Sequence, residues 1–156
     1  MDSSTQSQAQ TAPSIPHECD RRGDFLISTD PALLDVAAIH DYLSNRSYWA
    51  EGRSLETVQR SIRNSLCFGL YESGRQVGFA RVVTDQTTFA WLCDVFILEP
   101  WRGRGLSKWL MDCIVRHPGL QGLRRIVLAT KDAHELYRPY GFAPLSSPER
   151  FMEKVP

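Results

Sequence analysis

Residues 96–110 read "FILEPWRGRGLSKWL". An apolar run stops at Pro100, an Arg-Gly-Arg-Gly turn follows at 102–105, and a helical pattern starts at once. The unpaired N–H groups and the dipole of a helix N-terminus favour an anion at such a place. Gly103 and Gly105 let the backbone curl round phosphate oxygens, and Arg102 and Arg104 add positive charge. Two common nucleotide cradles do not fit. The P-loop pattern G-x-x-x-x-G-K-[ST] is absent, and Lys108 stands where a G-x-G-x-x-G fingerprint has its third glycine. Turn chemistry alone also produces such a stretch, so its meaning depends on the surroundings.

Before the turn, "TFAWLCDVFIL" (88–98) runs apolar on both faces, as a central strand covered on both sides would. After it, Leu106, Leu110, Cys113 and Ile114 form a helical stripe that ends at "HPGLQGL". "RIVLAT" (125–130) predicts another buried strand. "DAHELYRPYGF" (132–142) predicts a short helix, opened by a capping box of Asp132 and Glu135, limited by Pro139 and stopped by Gly141. A last strand is expected around "RFMEKV" (150–155). Further upstream, "LCFGLYE" and "QVGFARVVT" flank a short turn, "SGR", and read as a hairpin. "SLETVQRSIRNSL" (54–66) predicts a helix opened by Ser54 and striped by Leu55, Val58 and Ile62. "DPALLDVAAIHDYLS" (30–44) predicts another, with Asp30 as N-cap, Pro31 first, and Leu34, Ala37, Ala38 and Tyr42 on one face. "DFLIST" (24–29) reads as the first strand. The order strand, two helices, three-strand meander, helix, strand, helix, strand predicts a mixed sheet with helices on both faces.

Composition bounds the rest. The chain has 156 residues, is 42% apolar, and carries a formal net charge of zero, which argues against a nucleic-acid or anionic-membrane footprint. No apolar run approaches the roughly 20 residues needed to span a bilayer. Residues 1–20, rich in Ser, Gln, Thr and Pro, read as a disordered tail without a secretory pattern, and residues 21–156 as one folded domain. Cys19, Cys67, Cys93 and Cys113 lack C-x-x-C spacing and read as reduced thiols of a cytoplasmic protein. His40, His117 and His134 lack ligand spacing, so no metal is expected; His117 reads as a helix C-terminal residue.

Position gives the Arg-Gly-Arg-Gly turn its meaning. The chain resembles the GNAT superfamily of acyl-CoA-dependent N-acetyltransferases, which carries [QR]-x-x-G-x-[GA] between its fourth strand and third helix. Arg102-Gly103-Arg104-Gly105-Leu106-Ser107 matches, with Ser107 where the family has Gly or Ala. The family's L-Y-x-x-x-G-F is matched by Leu136, Tyr137, Gly141 and Phe142; Ala133 stands where alanine is favoured, and Thr130 where an asparagine is common. The resemblance covers Asp24 to the C-terminus. It implies an α/β (α+β) fold with a mixed, mostly antiparallel sheet of six to seven strands. It also implies acetyl-CoA as acyl donor, with its pyrophosphate on residues 102–107 and its pantetheine arm on the backbone of Phe96 and Ile97.

The implied reaction is direct attack of a primary amine, from a small molecule or a protein, on the thioester. It needs a neutral amine, a stabilised oxyanion and a protonated leaving sulfur. The resemblance makes Tyr137 the acid for the sulfur, and a phenol with a reference pKa of about 10 is protonated at neutral pH. The alternative is a tyrosine that only packs. Asp94 is the one charged residue in its strand, and a carboxylate costly to bury as an anion suits a base. A structural pair with Arg81 is the alternative, and a bulge in this strand, common in the family, would decide which way Asp94 points. Tyr48, Trp49 and Trp91 are candidates for the acceptor wall, against plain surface packing. A non-catalytic CoA-binding sensor or scaffold is the second reading of the whole chain, and a homodimer is left open.

Overall fold

The computed structural model describes residues 14–156; residues 1–13, most of the expected tail, lie outside the described residues. A six-stranded sheet runs in chain order through β1 (Glu18–Arg22), β2 (Phe25–Ser28), β3 (Leu66–Glu72), β4 (Arg75–Thr84), β5 (Phe89–Ile97) and β6 (Arg125–Leu128). Every neighbouring pair is antiparallel except β5 with β6, which is parallel. α1 (Val36–Arg46) and α2 (Leu55–Arg63) bury Ile39, Leu43 and Val58 with Phe79 and Phe96 on one face. α3 (Leu106–Arg116) and the short α4 (His134–Tyr137) bury Trp109, Leu110, Ile114 and Tyr137 with Phe68, Val82 and Leu92 on the other. Among the described residues no helix is long and apolar enough to cross a membrane.

Local chemistry sets the element ends. β3 and β4 turn through Ser73 and Gly74, whose φ of 48° and 83° supply the left-handed pair that matches strand twist. Ser54 caps α2 by accepting the Thr57 N–H, as expected. α1 begins later than its sequence implied. Asp30 and Pro31 open only a 3₁₀ turn over Pro31–Leu33, and Leu34 then turns extended. Asp35 is the true cap, accepting the Ala38 N–H at 3.0 Å, and the buried face becomes Ile39, Tyr42 and Leu43.

Both ends of the sheet differ from expectation. Among the described residues regular structure starts at Glu18, inside the stretch read as tail, where β1 pairs with β2. "ECDRR" has no period-2 apolar pattern; a tertiary contact fixes it instead. The Trp109 indole on α3 donates to Asp20 at 2.7 Å, and Arg22 lies over the same ring. At the far edge, the strand expected around "RFMEKV" does not form, and residues 151–156 hold no regular structure. β6 is therefore an edge strand, half-buried where full burial was expected. β5 is likewise open on one face at its start, where Phe89 and Trp91 are exposed.

His117 ends α3 at 5% exposure, its Nδ1 accepting the Gly119 N–H at 3.1 Å and its ring edge-on to Phe68. Burial holds its pKa below the ordinary 6.5. The unfolded chain then binds the proton more readily. Stability is complete above about pH 6.5 and is lost as pH falls through the folded-state value. His117→Asn keeps an acceptor for Gly119 and removes the titration. In thermal unfolding at pH 7 and pH 5, the wild-type Tm is expected to fall further than that of the variant.

Candidate active site

The site begins with an irregularity in β5. Phe79 pairs with Phe96 and Arg81 with Cys93, so two steps along β4 match three along β5. The extra residue lies at Asp94, whose φ of 53° is left-handed. This bulge inverts the alternation of the strand: Ala90 and Leu92 face the α3 side, whereas Phe96 faces α1 and α2. Pairing between β5 and β6 stops at Leu92 with Leu128. Residues 93–97 thus continue with no strand on that side, and a cleft opens between the two strands.

Two cavities meet in the cleft. One, of about 470 Å³, runs from the 102–107 loop past Phe96 and Ile97 to Tyr137. The other, of about 320 Å³, runs from Tyr137 past Trp91 and Asp94 to Thr130. Tyr48, Trp49, Val95 and Tyr137 line both, so the two cavities adjoin. Tyr137, on α4, is buried, and this pushes its hydroxyl pKa up to about 12; nearby Tyr48 and Asp132 act in the same direction.

At the first end, Gly103 and Gly105 have φ of 77° and 75°, and a Cβ on either would meet open space. Backbone conformation, not crowding, requires glycine there. Gly105 caps α3 without any side-chain bond, which leaves the first-turn amides facing the cavity mouth unfilled. Arg102 takes a different part from the one its charge implied. Its Nε donates to the Ile97 carbonyl at 2.9 Å and its Nη2 to the Tyr42 hydroxyl at 2.7 Å, while Tyr42 stacks on Phe96 at 3.9 Å. The side chain, itself half exposed, braces the loop against β5 and α1; Arg104 is exposed as well, and Leu106 and Ser107 line the cavity.

At the second end, the Asp94 side chain is 1% exposed. Its Oδ2 accepts Arg81 Nε at 2.8 Å and Arg53 Nη1 at 2.9 Å, and its Oδ1 accepts the Trp49 indole N–H at 3.0 Å. The Arg81 pair expected from sequence is present. Sequence reasoning missed Arg53, and it offered Trp49 only as an acceptor-wall candidate, without its bond to Asp94. Tyr48 stands edge-on to Trp49 and accepts the Lys131 N–H at 3.2 Å, bridging to the start of α4. Ala133 is the N-cap of α4 and has no side-chain cap bond; its own N–H is held by the Thr130 hydroxyl at 3.0 Å, while Asp132 and Glu135 do not cap the helix and Glu135 pairs with Arg138 instead.

Residues 36–142, which span both ends of the cleft, match the acetyltransferase (GNAT) family. The chain belongs to this family. A Gibberella zeae protein described as an acetyltransferase, FG08082, is 38% identical over 138 residues, 74% of this chain and 77% of its own. A crystal structure from Xanthomonas campestris pv. campestris, described as an acetyltransferase of the GNAT family, is 51% identical. It superposes with a TM-score of 0.83 over 91% of this chain and 95% of its own. An acetyltransferase from Clostridium acetobutylicum, solved with acetyl-CoA, shares the fold alone. Its identity is 15% and its TM-score 0.61, over 84% of this chain and 94% of its own.

The protein is thus a GNAT acyltransferase, of a family that uses acetyl-CoA. Its cleft has a backbone-lined end suited to phosphate and an aromatic end, where Tyr48, Trp49 and Trp91 are 39–53% exposed. Asp94 fastens the second end to the sheet. Asp94→Asn keeps the shape and tolerates the left-handed backbone, but sets an amide against two guanidinium groups. Unbalancing a buried ion set of this kind is expected to cost about 3–5 kcal/mol, read by denaturant unfolding without any ligand.

Proposed function

We propose that the protein transfers an acetyl group from acetyl-CoA to a primary amine by direct attack within a ternary complex. The observation that carries this reading is the pair of adjoining cavities, with Tyr137 in the wall of both. The amides of residues 103–107, with Arg104, hold the pyrophosphate. The edge of β5 over residues 95–97, free of β6, takes the pantetheine arm and offers to the thioester oxygen the N–H groups that point away from β4. When bound, acetyl-CoA supplies the acyl group as an activated thioester.

Tyr137 delivers a proton to the departing sulfur. A pKa raised to about 12 keeps the phenol protonated at neutral pH, as an acid requires. The amine enters from the side of Tyr48, Trp49 and Trp91, whose ring faces suit an apolar or cationic group. Asp94 is a positioning residue here, because its oxygens are engaged by Arg81, Arg53 and Trp49. A covalent cysteine route is disfavoured. Cys93 lines the acceptor cavity, but burial pushes its thiol up to about 11, leaving almost no thiolate at neutral pH.

Thiol release from acetyl-CoA over a panel of amines tests the reading. Tyr137→Phe is expected to lower kcat by about 100-fold or more, with KM for acetyl-CoA within about twofold. Unchanged kcat removes Tyr137 from the mechanism. Acetyl-CoA binding with no thiol release from any amine makes the protein a CoA-binding sensor.

A further inference from the structure

The charges that border the two cavities are matched, with one exception. Asp94 is bonded by Arg81, Arg53 and Trp49. Arg46 pairs with Glu99 at 2.9 Å, and Arg102 donates to the Ile97 carbonyl and the Tyr42 hydroxyl. The Lys131 ammonium lies over the Tyr48 ring, 5.6 Å from its centroid. Asp132 is the exception. Among the described residues its side chain makes no ion pair and no hydrogen bond, and it lines both cavities.

This free carboxylate stands beside Tyr137, which lines the same two cavities, and its charge helps to hold the phenol's proton. The exposed rings of Tyr48, Trp49 and Trp91 border the acceptor cavity with it. A carboxylate next to ring faces attracts an ammonium group. It repels a second carboxylate by the same law. In an α-amino acid the two effects cancel, because the carboxylate is carried on the carbon that bears the nitrogen. A carboxylate further along the body escapes that repulsion and meets Lys131, which lines the acceptor cavity alone.

We propose that Asp132 is a specificity-determining residue of the acceptor site, selecting a primary amine on an aryl or alkyl body with no carboxylate beside the nitrogen. Free α-amino acids are disfavoured by charge and not by size. The inference rests on the acetyl-transfer reading, which places the reacting nitrogen beside Tyr137.

Phenethylamine and phenylalanine differ only by that carboxylate, and Trp49 and Trp91 in the cavity wall report either one by fluorescence. Titrations of the full chain, free and with CoA, measure binding without turnover. Phenethylamine is expected to bind about tenfold more tightly than phenylalanine, the effect of one charge contact at an exposed site. In Asp132→Asn phenethylamine weakens and phenylalanine does not, which brings the two within about twofold. Asp132→Glu restores the preference, and high salt narrows it in the wild type. A merely structural Asp132 would weaken both compounds alike. The proposal is overturned by equal binding, by a preference for phenylalanine, or by no binding of either at millimolar concentration. A preference that survives Asp132→Asn overturns it as well. Thiol release from acetyl-CoA with the same pair is a separate readout. Preferential binding without turnover upholds the charge filter and overturns the acetyl-transfer reading.

Discussion

The arrangement rests on one carboxylate held between two guanidinium groups in the middle of a strand. Asp94 takes a left-handed conformation that costs about 1–2 kcal/mol for a residue with a side chain. Hydrogen bonds to charged groups are worth about 1.5–3 kcal/mol each, and Asp94 accepts two from arginines and one from an indole. Local strain is thus outweighed, although desolvation of three charges cancels much of the gain. The lasting effect is geometric. One strained residue, fixed from three directions, sets where β5 bends and which way every later side chain points.

The donor end of the cleft follows from that bend. Because the alternation inverts at Asp94, Phe96 faces α1 and stacks on Tyr42. The Tyr42 hydroxyl accepts from Arg102, whose Nε also holds the carbonyl of Ile97 at the end of the strand. Bulge, ring stack and arginine brace form one line of contacts from the acceptor end to the glycine loop. The loop therefore starts from a fixed point, and Gly103 and Gly105 complete it through backbone conformation alone.

The same division explains what the sequence disclosed. The glycine loop, the stripe of α3, the β3–β4 hairpin and the place of Tyr137 depend on local patterns, and each was legible. The bulge was not, because one extra residue leaves no mark in an apolar run; only the lone charge at 94 pointed to it. The bonds of Arg53 and Trp49 to Asp94 were hidden because the partners lie 41 and 45 residues apart in the chain. β1 was missed because its strand is held by Trp109 from α3, and not by its own pattern. The last strand had the right pattern, yet residues 151–156 hold no regular structure beside the β6 edge. Periodicity states a propensity to pair and says nothing of where the partner lies.

The two ends of the cleft are built from different materials, and this decides which is free to vary. On the acetyl-transfer reading the phosphate end is backbone braced by Arg102, so substitutions that spare Gly103, Gly105 and that brace leave it standing. The acceptor end is made of side chains from three separate segments, and these are not equally bound. Trp49 is fastened to a buried ion set, and changing it leaves a carboxylate oxygen without its donor, which costs about 1–3 kcal/mol. Trp91 makes its wall with an exposed ring, and Tyr48 is held by one 3.2 Å bond and surface contacts. On the acetyl-transfer reading, choice among amines is then most cheaply altered at 48 and 91. Trp49 fixes the frame within which those two rings discriminate.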